Sequence, residues 1–215
     1  MGMTAQKIEK PRKERKDNAD RRRRQILDAA FRSIVQNGLS KTTLATVANE
    51  AGLSQGVAVF YYKSKNGLLT AVLQDIYQRY EDKWKAHLEK AGDDPYDKLV
   101  AIIEADFDKD ICNPPTLSVW FAFWGEQKFT PQYAEITGQF DRKRSEAIAQ
   151  ICNDLLGGAD EDRARLISEW ADTLTDGYWQ KLHLFPEDFD RDSAVEATMQ
   201  FLAKNLPEFA ARRSN

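Results

Sequence analysis

The apolar residues of this chain recur every three or four positions, which is the period of an α-helix. Leu44, Val47 and Ala48 show this spacing in a short segment, and a longer segment from Leu69 to Trp84 keeps its apolar residues on one side. No segment alternates between apolar and polar residues for long enough to form a strand. The pattern therefore predicts an all-α protein with about nine helices.

Glycine and proline positions divide this pattern into separate helices. The first helix follows a run of four arginines and ends at Gly38, and a long helix later runs to Ala91. The other predicted helices are a short one before Gly52, 55–62, one from Pro95 to before Asn113, the segment TLSVWFAFWGEQKF, 131–156, 160–183 and 191–206. Pro207 is interpreted as the stop of the last helix.

The two short helices before and after Gly52 form a characteristic motif. Thr42 or Thr43 supplies a cap for the first helix, since a threonine hydroxyl accepts from an unpaired backbone N–H. Gly52 adopts the left-handed conformation of a helix end, and Ser54 begins the next helix. Helix, tight turn and helix indicate a helix-turn-helix that places its second helix in the DNA major groove. A helical hairpin without a role in DNA binding remains the alternative.

The second helix of this motif carries groups suited to a duplex. Gln55 offers an amide that pairs with adenine, and Gly56 permits close approach of the helix backbone. Tyr61 and Lys65 are expected to reach phosphates, which set register without reading sequence. The predicted DNA-binding residues are Thr42, Thr43, Ser54, Gln55, Gly56, Tyr61 and Lys65.

Charge is distributed unevenly along the 215 residues, although the net charge is only −3. Residues 1–66 hold 14 Lys/Arg and 6 Asp/Glu, a net of +8, and residues 67–215 have a net of −11. A basic segment that contains a helix-turn-helix is the electrostatic pattern of phosphate contact. The acidic remainder favours a cationic ligand, or it only provides solubility.

The N-terminal segment 1–20 is rich in Lys and Arg and almost lacks apolar residues. This composition predicts a disordered arm, either a DNA-tracking extension or an inert solubilising tail. No apolar segment follows it, so a secretory signal is excluded, and no run is long enough to span a membrane. Cys112 and Cys152 lie in helical contexts, which indicates buried, reduced thiols in a cytoplasmic protein.

The sequence offers no constellation for catalysis. It lacks a nucleophile–histidine pair and a glycine-rich phosphate loop, and neither His87 nor His183 has a partner at metal-ligand spacing. We therefore expect no enzyme activity, no cofactor and no metal site.

A cluster of aromatic residues accompanied by carboxylates suggests a ligand site. Trp120, Phe123 and Trp124 share one helix face, and Trp179 lies near Asp176 on another helix. Ring faces and carboxylates suit a quaternary ammonium ion, which has no strong hydrogen-bond donor. The alternative is that these rings fill the core or a dimer interface. The predicted ligand-binding residues are Asp106, Phe107, Trp120, Phe123, Trp124, Tyr133, Asp176 and Trp179.

The segments TTLATVANEAG and GLSQGVAVFYYKSKNGLL resemble the DNA-binding domain of the TetR family of bacterial repressors. AIIEADFD, SVWFAFW and TDGYW resemble the C-terminal domain of its choline-responsive BetI group, so the similarity covers most of residues 20–206. Val59 stands where many members of the family carry tyrosine, and Asp106 where asparagine is expected in this group.

The resemblance implies a homodimeric repressor of genes for glycine-betaine synthesis, released from double-stranded operator DNA by choline or a related cation. Residues 21–66 would form the DNA-binding domain, and residues 67–215 would bind the ligand and dimerise. The alternative function is a TetR-type regulator with a different ligand or none, in which the aromatic cluster forms core and dimer interface.

Overall fold

A computed structural model describes residues 12–213, and all regular secondary structure in this range is helical. The helices are α1 Arg12–Lys41, α2 Leu44–Glu50, α3 Gln55–Tyr62, α4 Lys65–Ala91, α5 Pro95–Asp106, α6 Pro114–Glu126, α7 Pro131–Leu155, α8 Glu161–Leu184, α9 Arg191–Asn205 and α10 Pro207–Arg213. The all-α prediction is confirmed. None of these helices is long and apolar enough to cross a membrane.

The chain forms two compact units, Met1–Val72 and Leu73–Asn215. The division falls inside α4, later than the boundary at residue 66 that the sequence suggested. The beginning of α4 interacts with the first unit, where Lys65 Nζ donates a hydrogen bond to the Ser40 carbonyl at 2.6 Å. The first unit contains α1–α3, and the second contains the rest of α4 through α10.

The turn between α2 and α3 has the structure that the sequence predicts. Thr43 Oγ1 accepts from the Thr46 N–H at 3.1 Å, and Thr46 Oγ1 accepts from the Thr43 N–H at 2.8 Å. This reciprocal pair fixes the start of α2. At its end Gly52 has a φ of 64°, which a side chain would disfavour, and the Leu53 N–H donates to the Ala48 carbonyl at 2.8 Å.

Helix α1 begins earlier than expected. Residues 12–20 belong to it, so the predicted disorder of residues 1–20 is wrong for this part, and residues 1–11 lie outside the described range. Lys, Arg and Glu are good helix formers, and ion pairs such as Arg23 with Asp20 at 2.9 Å support the helix. Near its end, Gly38 has non-helical dihedrals of φ 73° and ψ 172°, so the main helix is interrupted there as predicted.

The core of the second unit is formed by the apolar faces of its helices. Leu99 and Ile102 of α5, Phe123 of α6 and Ile148 of α7 are fully buried. Phe209 is also fully buried and belongs to α10, a helix that the sequence analysis missed. Pro207, interpreted there as a helix stop, instead occupies the first position of α10, where its lack of an N–H costs nothing.

Both cysteines are free and buried. Burial raises the pKa of the Cys112 and Cys152 thiols to about 12 each, so both remain protonated near neutral pH. Since the thiolate is the reactive form, neither side chain is a nucleophile under ordinary conditions.

Two residues at helix starts allow a controlled test of capping. Thr43→Ala removes the hydroxyl that accepts from the Thr46 N–H at the α2 cap, and we expect the free energy of unfolding to fall by about 1 kcal/mol. Ser54 begins α3 without a side-chain cap bond, so Ser54→Ala should cost less than about 0.5 kcal/mol. Urea denaturation followed by circular dichroism measures both. Equal losses in the two variants would contradict the assigned cap.

Candidate functional site

Helix α3 presents a continuous exposed stripe. Gln55, Gly56, Val59 and Phe60 are exposed, and Lys63 directly follows the helix. These positions are spaced by four residues in two adjacent rows, so they lie along one face of the helix. A Cβ atom at Gly56 would meet only Ser54 Oγ, at 3.9 Å, so the backbone here is open to close approach.

Three predicted DNA-binding residues occupy different environments. Thr42 is fully buried and donates from Oγ1 to the Gly38 carbonyl at 2.9 Å, which is a role inside the fold. Thr43 is half-buried and its side chain is engaged in the α2 cap. Ser54 is exposed at the start of α3, beside Gln55.

The two predicted phosphate contacts lie near the end of α3 and at the start of α4. Tyr61 is half-buried, with the Arg23 guanidinium carbon 5.6 Å from its ring centroid. Lys65 is tied to the Ser40 carbonyl. The sequence analysis missed Phe60, whose side chain is 67% exposed, and its neighbour Val59. Counting helical positions from Gln55 would have placed both on the outward face.

The second unit contains a cavity of about 190 Å³ between α4, α6, α7 and α8. This volume is below the range of about 300–1,000 Å³ that is common for drug-sized ligands, so it suits a small compound. The cavity is lined by Tyr77, Tyr80, Trp120, Trp124, Asp141, Arg144, Asp172, Thr175, Asp176 and Trp179.

Four of the eight predicted ligand-binding residues line this cavity: Trp120, Trp124, Asp176 and Trp179. Trp120 is central among the rings. Its centroid lies 4.2 Å from that of Tyr77, 5.7 Å from that of Trp179 and 6.4 Å from that of Trp124. The structure therefore brings together rings from α4, α6 and α8.

The other four predicted residues do not line the cavity. Phe123 and Tyr133 are buried and pack edge to face, with centroids 5.2 Å apart. Phe107 is buried next to Tyr178, at a centroid distance of 6.3 Å. Asp106 is fully buried behind the cavity wall, where protein groups occupy both of its carboxylate oxygens.

Sequence reasoning did not assign a ligand role to several lining residues. Tyr77 and Tyr80 are three positions apart on α4, and Asp141 and Arg144 have the same spacing on α7. Polar or aromatic residues at helical spacing inside an amphipathic helix are the signal that could have indicated them. Their convergence depends on contacts distant in sequence, which spacing alone does not reveal.

The Asp106 carboxylate is held by three helices. Tyr80 of α4 donates its hydroxyl to Oδ1 at 2.6 Å, and Thr175 of α8 donates to Oδ2 at 3.0 Å. Arg144 of α7 donates from Nε to Oδ1 at 3.2 Å and from a terminal nitrogen to Oδ2. Trp179 Nε1 also donates to the Asp106 backbone carbonyl at 2.9 Å. These bonds fix four of the residues that line the cavity.

Arg144 is shared between two carboxylates. Its second terminal nitrogen donates to Asp172, which also accepts from Ser145. Burial disfavours the charged guanidinium, but Asp106, Tyr80 and Asp172 together more than offset this and raise the Arg144 pKa. The arginine therefore stays positively charged, and it forms ion pairs with Asp106 and Asp172.

The remaining acidic groups give the cavity its negative character. Burial raises the Asp176 pKa to about 7, opposed by Arg144 and assisted by Asp141 and Asp172. Burial and Asp172 raise the pKa of Asp141 to about 6. Solvent still reaches the side chains of Asp141 and Asp176, and its screening limits how far each pKa rises. Rings and excess carboxylates favour a small cation and disfavour an anion.

Known proteins share this architecture and sequence. Residues 26–72 match the model for bacterial regulatory proteins of the tetR family, and residues 95–207 match the C-terminal model of BetI-type transcriptional repressors. The chain belongs to the TetR family, in its BetI-type branch. The HTH-type transcriptional regulator BetI of Paraburkholderia xenovorans is 32% identical over 185 residues, which cover 84% of this chain and 91% of that protein.

Solved structures show the same TetR fold. A protein described as a transcriptional regulator of Pseudomonas aeruginosa PAO1 has a TM-score of 0.80 and 21% identity, over 91% of this chain and 94% of its own. A regulator of Saccharomonospora viridis, solved in complex with choline, has a TM-score of 0.77 and 20% identity, over 87% of this chain and 98% of its own.

The buried ion pair generates a stability prediction. Arg144→Met leaves the Asp106 charge buried without its cation, and we expect a loss of about 3–5 kcal/mol in the free energy of unfolding. Adding Asp106→Asn removes the unpaired charge and should recover part of this loss. Asp172→Asn, at a partly exposed site, should cost about 1 kcal/mol or less. Urea denaturation measures the free energy of unfolding of the three variants. A double variant that is no more stable than Arg144→Met would contradict the role of the unpaired Asp106 charge.

Proposed function

We propose that this BetI-type regulator is a homodimeric cytoplasmic repressor that a small quaternary ammonium cation, choline or a close relative, releases from its operator. The observation that carries the proposal is the cavity of about 190 Å³, where Trp120, Trp124 and Trp179 meet Asp141 and Asp176. The choline complex of the Saccharomonospora viridis regulator, which shares the fold, supports this choice of ligand. Genes for glycine-betaine synthesis are the proposed targets.

The chemistry of a trimethylammonium group fits this cavity. Such a group presents charge on a surface of methyl groups, so it gains from ring faces and from nearby carboxylates rather than from hydrogen bonds. Each desolvated ring is worth roughly 0.5–2 kcal/mol toward binding. The three indole rings and the Asp141 and Asp176 carboxyls supply both kinds of contact.

DNA binding is assigned to the exposed stripe of α3. In the proposed dimer, two copies of α3 would enter successive major grooves of a pseudo-palindromic operator, about 34 Å apart. Gln55 is placed to contact a base edge, and the open backbone at Gly56 permits close approach. Ligand and operator would then favour different states of the dimer, so each must weaken the binding of the other by the same factor.

The second candidate function is a TetR-type regulator with no small ligand. It is favoured by the burial of Trp120 and Trp179, each only 2% exposed, and by the hydrogen bond from Trp179 Nε1 to Asp106. Both features are typical of core residues. Thermal unfolding separates the two functions, because a ligand that binds only the folded protein raises the melting temperature.

Two substitutions should separate ligand binding from DNA binding. Trp124→Ala removes one cavity ring, so we expect a repressor that still binds operator but requires roughly 2- to 30-fold more choline for release. Tyr61 lies in the other unit, so Tyr61→Ala should weaken operator binding and leave choline affinity unchanged. Fluorescence anisotropy with labelled operator and calorimetric titration with choline measure both properties. Choline affinity that is the same with and without operator would refute the release mechanism.

Cation binding should depend on pH. A carboxyl attracts the ligand only when ionised, so choline affinity should fall as pH decreases through about 7 and then about 6, where Asp176 and Asp141 take up protons. The charged groups that face Asp176 are Arg144, Asp141, Asp172 and Asp106. Calorimetry between about pH 8 and pH 5 tests the dependence.

Asp176→Asn should flatten the part of this profile near pH 7, whereas Asp188→Asn, at an exposed site outside the cavity, should leave it unchanged. A profile that is the same in wild type and Asp176→Asn would exclude Asp176 as the titrating group.

A further inference from the structure

Two buried donors at the cavity lack a hydrogen-bond partner. They are the Trp120 indole nitrogen Nε1 and the Tyr77 hydroxyl, in side chains that are 2% and 1% exposed. Both residues line the cavity and pack against each other with ring centroids 4.2 Å apart. Buried polar groups in folded proteins are nearly always paired, so two orphaned donors at one cavity indicate a missing acceptor.

The neighbouring donors are paired, so the lack of a hydrogen-bond partner is not a general property of the cavity wall. Tyr80 donates its hydroxyl to Asp106 at 2.6 Å, and Trp179 Nε1 donates to the Asp106 carbonyl at 2.9 Å. The side chains of Thr137 and Trp124 lie near the Tyr77 hydroxyl without completing a hydrogen bond of ordinary geometry. Trp120 Nε1 is therefore the clearer of the two unpaired groups.

The donor chemistry defines the missing partner. An indole N–H only donates, and a phenol hydroxyl donates or accepts, so a group that serves both must be an acceptor. A carboxylate is disfavoured because Asp141, Asp172 and Asp176 line the same cavity and would repel it. The remaining class is a neutral oxygen of a hydroxyl, ether or carbonyl group.

We propose that Trp120 Nε1, assisted by the Tyr77 hydroxyl, binds a neutral oxygen atom of the cationic ligand. The cavity then selects small ammonium compounds that carry such an oxygen over hydrocarbon cations of the same shape and over zwitterions with a carboxylate. This inference rests on the proposed function and specifies what the ligand must contain besides its positive charge.

A pair of matched ligands tests the inference. Choline and n-propyltrimethylammonium differ only by a hydroxyl in place of a methyl group, so both present the same cation to the rings. We expect choline to bind wild-type protein about tenfold more tightly by calorimetry, because the hydrocarbon ligand leaves the donors unpaired. Glycine betaine, which carries a carboxylate, should bind more weakly than choline.

Substitutions assign the preference to its residues. Tyr77→Phe removes only the hydroxyl and should reduce the affinity ratio of choline to n-propyltrimethylammonium. Trp120→Phe removes the N–H and should bring the ratio close to one. Asp176→Asn is the control, because it removes a lining carboxyl that attracts both cations alike and should keep the ratio even if both affinities fall. Thermal unfolding verifies that each variant is folded. If Trp120→Phe does not fold, the affinity ratio of Tyr77→Phe tests the assignment by itself.

The outcomes distinguish this inference from the function on which it rests. Equal binding of choline and n-propyltrimethylammonium to the wild type would overturn the oxygen site and leave cation binding intact. A ratio that persists in both Tyr77→Phe and Trp120→Phe would overturn the assigned residues. If none of the three compounds binds, the proposed function itself fails.

Discussion

The ion pair between Asp106 and Arg144 is the interaction on which the second unit of this protein depends. A carboxylate with no exposed surface needs compensation for its lost hydration, and here it comes from groups on three different helices. Such a pair contributes little net stability relative to apolar packing, but it restricts geometry. Tyr80, Arg144 and Thr175 can satisfy Asp106 together only if α4, α7 and α8 hold one arrangement, and the cavity lies among these helices.

The same pair determines the charge of the cavity. Arg144 is paired with Asp106 and Asp172, and its positive charge only partly offsets the burial that raises the pKa of Asp141 and Asp176. Because of burial first and of acidic neighbours such as Asp172 second, these two carboxyls hold their protons more strongly than free aspartates do. A bound cation would favour their ionised forms. In the proposed function, this negative charge favours a positive ligand and disfavours an anion.

Features determined by local chemistry could be predicted from the sequence. The turn at Gly52 follows from neighbouring residues and was located correctly, as was the interruption at Gly38. Pro207 was misinterpreted because proline both ends and begins helices, and only the burial of Phe209 in the fold decides between these roles. Arg144 was missed for a different reason. Its partner Asp106 is 38 positions away, and an arginine on an amphipathic helix usually points to solvent.

The arrangement of indoles also gives the protein an optical reporter of its own cavity. Three of the five tryptophans in the chain, Trp120, Trp124 and Trp179, line that cavity, and the other two are Trp84 and Trp170. A cation placed against an indole face changes the electric field that the ring experiences in its excited state. Most of the tryptophans thus lie where the proposed ligand would bind, so emission from the unlabelled protein would report on the state of the cavity.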